Sequence, residues 1–194
     1  QKARFLESRK QSKQNGIFNG SFDSGVSRKS TIPLPPVING GTKILQGQTE
    51  TAHDEVYNRT TTFVAAPQTK KPLVETWFGV NQVNNAVTKF QRMADVLSSE
   101  TMTYTFDGPH CRSNVFAYTY KQSREIFLCQ LYKVALTLRG SDNKMGILTH
   151  ELSHAIVSTD DIVYGQSGCK ELAKNAPDKA INNADNFEYF LEAF

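Results

Sequence analysis

The sequence has no long apolar run and no leader of the basic-then-apolar type. None of its hydrophobic stretches approaches the 18 residues that a membrane-spanning helix needs, and its first residues do not resemble an intact signal peptide. We therefore expect a chain without a membrane span, from which any leader has been removed. Hydrophobic residues still make up 39% of the 194 residues, with 12 Phe and 7 Tyr, so the chain is expected to fold around a core.

The sequence also lacks a strongly basic body. The formal net charge is only +3, and the excess lies at the start, where residues 1–30 hold seven Lys or Arg against Glu7 and Asp23. The remainder is slightly acidic. Nucleic-acid binding needs a basic face on a rigid surface, so we expect no nucleic-acid partner for the folded domain.

Cysteine is scarce. Three residues, Cys111, Cys129 and Cys169, allow at most one internal disulfide. Cys111 and Cys129 flank a strand-like stretch and are candidate partners, which would place the protein in an oxidising compartment. Three buried thiols in a reducing compartment remain the alternative.

Composition and the positions of Pro and Gly divide the chain into two parts. Residues 1–44 are polar, basic and interrupted by Pro and Gly, which indicates an N-terminal arm or the remnant of a propeptide. Residues 45–194 form the predicted domain. Its periodicity predicts helices over 49–64, 78–97, 145–157, 167–175 and 177–194, a strand over 101–106, and a hairpin of 115–120 with 125–131. The predicted fold class is α+β, mostly α, with a small antiparallel sheet of three or four strands.

One helix carries a metal-binding pattern. His150 and His154 are four residues apart within an apolar helical stretch, so both imidazoles lie on one face and can bind the same Zn²⁺. Glu151, the next residue after His150, can reach a water on that metal. Two surface histidines with an acidic neighbour are the non-functional alternative.

A catalytic zinc site needs a third protein ligand and an open position for water. A histidine at the spacing found in metzincins is absent, because that position is Asp160. Glu171 and Glu188 lie on later helices, as a glutamate ligand would, but neither has a supporting pattern. Asp160 and Asp161 directly follow the helix and are further acidic candidates.

The segment after the helix resembles a known family. Thr159, Asp161, Tyr164 and Gly165 match the G-T-x-D-x-x-Y-G segment that follows the HExxH motif in the deuterolysins, or aspzincins, while Ser158 replaces the first glycine. The resemblance covers residues 45–194 and is strongest to the lysine-preferring, peptidyl-Lys members and to bacterial exotoxin relatives. The further similar stretches are Trp77-Phe78-Gly79, Phe116-Ala117-Tyr118, Phe127-Leu128-Cys129, Asp142-Asn143-Lys144, Asn183-Ala184-Asp185-Asn186 and Glu188-Tyr189-Phe190.

The resemblance implies a zincin-like metallopeptidase that cleaves proteins or peptides outside the cell, with one Zn²⁺ per chain. It implies that Asp161 is the third ligand beside His150 and His154, and that Tyr164 hydrogen-bonds the developing oxyanion. Glu151 would act as general base. The family also favours a Cys111–Cys129 disulfide that leaves Cys169 as a buried thiol. We further expect a monomer made as an inactive precursor, inhibited by its own propeptide.

Two questions stay open at the level of sequence. Asp185 and Glu188, three apart on a predicted helix, resemble acidic residues that receive the lysine after the scissile bond, but they could instead form a helix-surface pair or support the zinc ligands from behind. The activity also has an alternative, a non-catalytic zinc-binding interaction or toxin-like protein on the same fold. A third hypothesis keeps the enzyme but makes Asp160 the ligand.

Overall fold

The computed structural model describes residues 32–194. Eight α-helices and four strands follow one another within this part of the chain. They are β1 (Val37–Asn39), α1 (Lys43–Ala65), α2 (Lys71–Phe78), α3 (Val83–Ser99), β2 (Thr103–Phe106), β3 (Ala117–Thr119), β4 (Glu125–Leu128), α4 (Gln130–Val134), α5 (Lys144–Val157), α6 (Gly165–Asn175), α7 (Pro177–Ala180) and α8 (Ala184–Glu192). The α+β, mostly α prediction is confirmed. None of these helices is both long and apolar enough to cross a membrane.

The sheet is mixed, which corrects the predicted antiparallel sheet. Its strand order is β1-β2-β4-β3. β3 and β4 pair antiparallel, as the hairpin pattern predicted, but β2 is parallel both to β1 and to β4. The alternation of a strand predicts which of its faces is buried, but not which strand it pairs with or in which direction. The direction of pairing was the part of the prediction that was wrong.

The first strand comes from the segment that the sequence assigned to an arm. Residues 37–39 pair with 103–105, and the predicted boundary at residue 44 falls inside α1, whose N-cap is Thr42. A three-residue strand is too short for its alternation to be recognised. Residues 1–31 of the predicted arm lie outside the described part of the chain.

The predicted helix over 78–97 begins later than expected. α2 ends at Phe78, and Gly79 (φ 93°) and Asn81 (φ 64°) turn the chain before α3 starts at Val83. A side chain at Gly79 would collide with the carbonyl oxygen of Ala173, so only glycine fits this approach of α2 to α6.

α5 runs through the middle of the domain. Its residues from Lys144 to Ala155 are all buried, and it packs against α1, α3, α8 and strand β3. Gly146 leaves room for the Glu192 side chain of α8, which accepts a hydrogen bond from the Asn143 amide at the start of α5. The helix that carries the metal-binding pattern is therefore fixed on every side by the core.

Aromatic side chains hold α8 in place beside α5. Phe187 and Phe190 of α8 lie 5.0 and 5.2 Å from the ring of Phe90, and Phe63 lies 4.9 Å from Phe190. Aromatic pairs at these distances each contribute about 0.5–1.5 kcal/mol beyond the area they bury. This cluster anchors the helix from which Asp185 and Glu188 project.

Candidate metal centre

Helix α5 delivers the first two side chains of the site. Asn143 caps its N-terminus by accepting a hydrogen bond from the Gly146 amide at 2.9 Å. The helix ends at Val157, and its C-cap residue Ser158 has a left-handed backbone, with φ 57° and ψ 39°. The chain therefore reverses directly after the helix, and this reversal returns Asp161 to the face that carries His150 and His154.

Three ligand-type atoms converge at this point. His150 Nε2 and His154 Nε2 lie 3.1 Å apart, and Asp161 Oδ1 lies 3.1 Å from the first and 3.3 Å from the second. Ligand atoms held about 2.0–2.1 Å from a tetrahedral zinc are separated by roughly 3.3 Å. The triangle therefore has the dimensions of three corners of a zinc tetrahedron.

The chemistry of the donors also fits a cation. Asp161 Oδ1 is buried and makes no hydrogen bond within the described structure, although both imidazoles lie close to it. Two imidazole nitrogens that face each other at 3.1 Å cannot both present lone pairs without repulsion unless a proton or a metal ion lies between them. Two nitrogens and a carboxylate oxygen are a donor set that zinc accepts in catalytic sites.

Asp160, the alternative third ligand, faces away from this triangle. Its carboxylate pairs with Lys121 Nζ, and its side chain is 58% exposed. Glu171, one of the two candidates on later helices, is exposed on α6. The structure therefore brings Asp161 alone of these three to the two histidines.

The outer nitrogen of His150 faces two carboxylates of α8. Nδ1 lies 2.8 Å from Asp185 Oδ1 and 3.4 Å from Glu188 Oε2, and both acidic side chains are buried. A histidine that binds a metal usually directs its other nitrogen to a carboxylate or a carbonyl, which fixes the ring and makes it more basic. This position favours the supporting role that the sequence left open for the pair.

The outer nitrogen of His154 faces the backbone of the ligand loop. Its Nδ1 lies 2.8 Å from the carbonyl oxygen of Thr159, which can accept a proton from the ring. The Thr159 hydroxyl in turn lies 2.6 Å from Ser153 Oγ, and Ser153 donates to the carbonyl of His150. Thr159 thus orients the second histidine through its carbonyl and contacts the helix through its hydroxyl.

Charges on and around the ligands are strongly coupled. Burial opposes ionisation of Asp161, but the two imidazoles hold the pKa of its carboxyl well below the usual range. Burial likewise disfavours a charged His150, yet Asp161, Asp185 and Glu188 raise the pKa of its imidazole well above the usual value. Three carboxylates around one ring create a negative potential that suits a divalent cation.

Glu151 and Tyr164 complete the surroundings. Burial raises the pKa of Glu151, an effect that the neighbouring imidazoles oppose in part. Burial, and next the negative charge of Asp161, raise the pKa of Tyr164, so its phenol keeps its proton at neutral pH. Tyr164 is 38% exposed, so the phenol lies where the centre opens to solvent.

The disulfide lies at the end of the β3–β4 hairpin that is opposite its turn. Cys111 and Cys129 are bonded, which ties the loop before β3 to the residue after β4, as expected. Cys169 is buried on α6 and keeps its thiol.

Sequence reasoning assigned no role to Thr159 beyond its place in the motif, and none to Asn183. Both are buried, and both contact the ligand loop or a ligand. Their positions within the similar stretches were the only signal, since a threonine or asparagine near a helix end is otherwise ordinary capping chemistry.

Known proteins provide an independent comparison. The family model described as lysine-specific metallo-endopeptidase, that of the aspzincins, matches residues 63–192. The chain belongs to the aspzincin family. Proteins similar to it include an extracellular protease of Aeromonas hydrophila, 29% identical over 90% of this chain and 54% of the relative, and a peptidyl-Lys metalloendopeptidase of Grifola frondosa, 39% identical over 62% of this chain and 35% of the relative.

A solved aspzincin shares the fold. The structure described as a zinc peptidase from Grifola frondosa superposes with a TM-score of 0.67 and 31% sequence identity, covering 78% of this chain and 96% of that one. The chain thus spans nearly all of that solved chain, but only about half of the Aeromonas protease and about a third of the Grifola peptidyl-Lys metalloendopeptidase.

Proposed function

We propose that this aspzincin is a secreted zinc-dependent endopeptidase that hydrolyses peptide bonds in proteins. The observation that carries the proposal is the convergence of His150, His154 and Asp161 on one point next to Glu151. His150 Nε2, His154 Nε2 and Asp161 Oδ1 would hold one zinc ion per chain. A zinc ion so bound supplies an activated water and polarises the substrate carbonyl.

The side chains of this protein supply the proton transfers. Glu151 accepts the proton that the attacking water loses, a role that its buried position beside the two imidazoles supports. The protonated Glu151 then gives that proton to the leaving amine. Tyr164 donates a hydrogen bond to the oxyanion, because a phenol keeps its proton at neutral pH.

Replacement of Glu151 by Gln tests this function. The amide has nearly the same size but cannot take a proton, so Glu151→Gln should bind one zinc per chain and lose at least about 100-fold in casein cleavage. Metal analysis and cleavage are measured on the same samples, with chelated and zinc-restored wild type as reference. Wild-type cleavage by the variant would contradict the general-base assignment, and zinc binding without cleavage by the wild type would support a non-catalytic zinc protein instead.

We also propose a preference for lysine directly after the scissile bond. The supporting facts are the family description and the names of the peptidyl-Lys relatives, which are 36–39% identical in the matched region. Asp185 and Glu188 are the candidate source of negative charge, and support of the zinc ligand from their position behind His150 is the competing role. Peptides that differ only in Lys, acetyl-Lys, Arg or Leu at this position separate charge from size. Equal cleavage of the Lys and acetyl-Lys peptides would contradict recognition of the ammonium group.

Secretion, a monomeric state and inhibition by a propeptide belong to the same proposal. One relative named as an extracellular protease and the Cys111–Cys129 disulfide support an oxidising, extracellular location. Light scattering on the purified chain would test the monomer, and addition of an isolated propeptide during cleavage would test inhibition.

A further inference from the structure

Asn183 occupies the N-cap position of α8 but does not cap that helix. Asparagine is among the best N-cap residues because its oxygen usually accepts a hydrogen bond from an amide of the first helical turn. The side chain of Asn183 makes no such bond, and the residue is fully buried. Its carboxamide is directed instead at the loop that carries Asp161.

The carboxamide of Asn183 satisfies three backbone groups of that loop. Oδ1 accepts hydrogen bonds from the amides of Ile162 at 2.7 Å and Val163 at 3.1 Å, while Nδ2 donates to the carbonyl of Val163 at 3.1 Å. Only a side chain with an acceptor and a donor on one planar group can make all these bonds. Asn183 therefore forms hydrogen bonds with the backbone of residues 162 and 163 in the way that a neighbouring β-strand would.

The backbone on either side of Asn183 forms hydrogen bonds with Asp160, the residue that precedes the proposed ligand. Asp160 donates from its amide to the carbonyl of Asn182 at 2.8 Å, and its carbonyl accepts from the amide of Ala184 at 3.0 Å. Asp161 lies between these two sets of bonds. Its backbone position is therefore set by the segment that precedes α8, and none of the bonds involved uses a metal-ligating atom.

A second asparagine holds Asn183 in place. Asn183 Nδ2 also donates to Asn186 Oδ1 at 2.7 Å, and Asn186 Nδ2 donates to the carbonyl of Trp77 and, at 3.1 Å, to that of Cys169. This arrangement fixes the orientation of the Asn183 amide and joins the ligand loop to α2 and α6 through buried bonds, which are costly to leave unmade.

We infer that Asn183 is a positioning residue that holds Asp161 in place for metal binding and so sets the affinity of the centre. This inference rests on the proposed function in taking Asp161 to be the third ligand. Without the carboxamide, the backbone of 162 and 163 loses its partners, and the loop must be ordered by the metal itself. The cost of that ordering appears as weaker binding.

Asn183→Ala tests the inference, with Asn186→Ala as the matched control. Both variants remove a buried amide of the same size, but only the first removes bonds to the ligand loop. We expect Asn183→Ala to weaken zinc binding about 10- to 100-fold in a chelator competition and to alter the visible absorption spectrum of the cobalt-substituted protein. Asn186→Ala should lower the thermal midpoint with a smaller change in affinity and an unchanged cobalt spectrum.

Wild-type zinc affinity and cobalt spectrum in Asn183→Ala would overturn the inference. So would an affinity loss that follows the drop in thermal midpoint in the same proportion in both variants, because this would indicate general destabilisation. Should Asn183→Ala fail to fold, amide exchange of the chelator-treated wild-type protein decides. The Ile162 and Val163 amides should exchange slowly without metal, and fast exchange of both would contradict the inference. A wild type that binds no zinc would instead refute the proposed function, while the exchange result would still report on the role of Asn183.

Discussion

The carboxylate of Asp185 lies 2.8 Å from Nδ1 of His150. Its other oxygen accepts a hydrogen bond from the Gly165 amide, also at 2.8 Å. One buried side chain of α8 thus fixes both the first histidine of the centre and the residue that follows Tyr164. Movement of Asp185 would disturb a proposed ligand and the proposed oxyanion donor together.

Asp185→Asn should therefore weaken zinc binding. The amide can present its oxygen to only one of the two partners, so the imidazole loses the charge that orients it or the loop loses its anchor. We expect a loss of about 10- to 100-fold in zinc affinity, measured by chelator competition. Glu188→Gln is the matched control, because Glu188 Oε2 lies farther from the same nitrogen, at 3.4 Å, and its effect should be smaller.

The same variants separate the two roles left open for this acidic pair. A purely substrate-binding role for Asp185 predicts unchanged zinc affinity and a reduced preference for Lys over acetyl-Lys peptides. An orienting role predicts weaker zinc binding with the preference kept. Unchanged zinc affinity in Asp185→Asn would contradict the orienting role.

The sequence could predict the centre because its main residues obey local spacing rules. His150, Glu151 and His154 lie on one apolar helix, and a helix places residues four apart on one face whatever surrounds it. Asp161 needed the resemblance to a family, since spacing alone left Asp160 equally possible. The contacts of Asp185 and Asn183 depend on how α8 packs against α5 and the ligand loop, and no local pattern specifies that packing.

Asp161→Asn and Asp160→Asn should have opposite outcomes in metal analysis. Loss of the Asp161 carboxylate removes a proposed ligand, so we expect at least about a 100-fold loss of zinc affinity. Loss of the Asp160 carboxylate breaks an exposed ion pair with Lys121, worth at most about 1 kcal/mol, and should leave one zinc per chain. The reverse result would favour Asp160 as ligand.

Ser158→Gly should stabilise the protein. Ser158 stands where the family motif has glycine and adopts φ 57°, a left-handed conformation that strains residues with a side chain. We expect about 1 kcal/mol of added stability in urea unfolding of the metal-free protein. Ser158→Ala keeps the strain and should give no gain. A destabilised Ser158→Gly variant would show that the serine side chain has a role that its geometry does not reveal.

The errors in the fold prediction have physical causes too. β1 has only three residues, so neither its alternation nor its parallel pairing with β2 could be recognised in a segment rich in Pro and Gly. The predicted helix over 177–194 is interrupted between α7 and α8, and this break places Asn183 beside the ligand loop. Helical periodicity continues across such a short break, because it reports which residues are buried rather than where the backbone turns.

His53 should make stability fall as the solution is acidified. It is fully buried on α1, with Nδ1 2.7 Å from the Tyr104 hydroxyl and Nε2 3.2 Å from the carbonyl of Leu34. Burial lowers the pKa of His53 to about 4, while the bond to Leu34 opposes the shift. Because the unfolded pKa is about 6.5, the unfolded state binds the proton first. The contribution of neutral His53 to the free energy of unfolding is complete above pH 6.5. It declines as the pH falls towards 4, by up to about 3 kcal/mol.

His53→Gln isolates this effect, because glutamine keeps a donor and an acceptor but does not titrate. Urea unfolding of both proteins is measured with chelator between pH 4 and pH 7, so that all other titrating groups are common to the two. The unfolding free energy of the wild type should fall more steeply below pH 6.5 than that of the variant, whatever their difference at pH 7. Parallel pH profiles would mean that His53 titrates alike in the folded and unfolded chains.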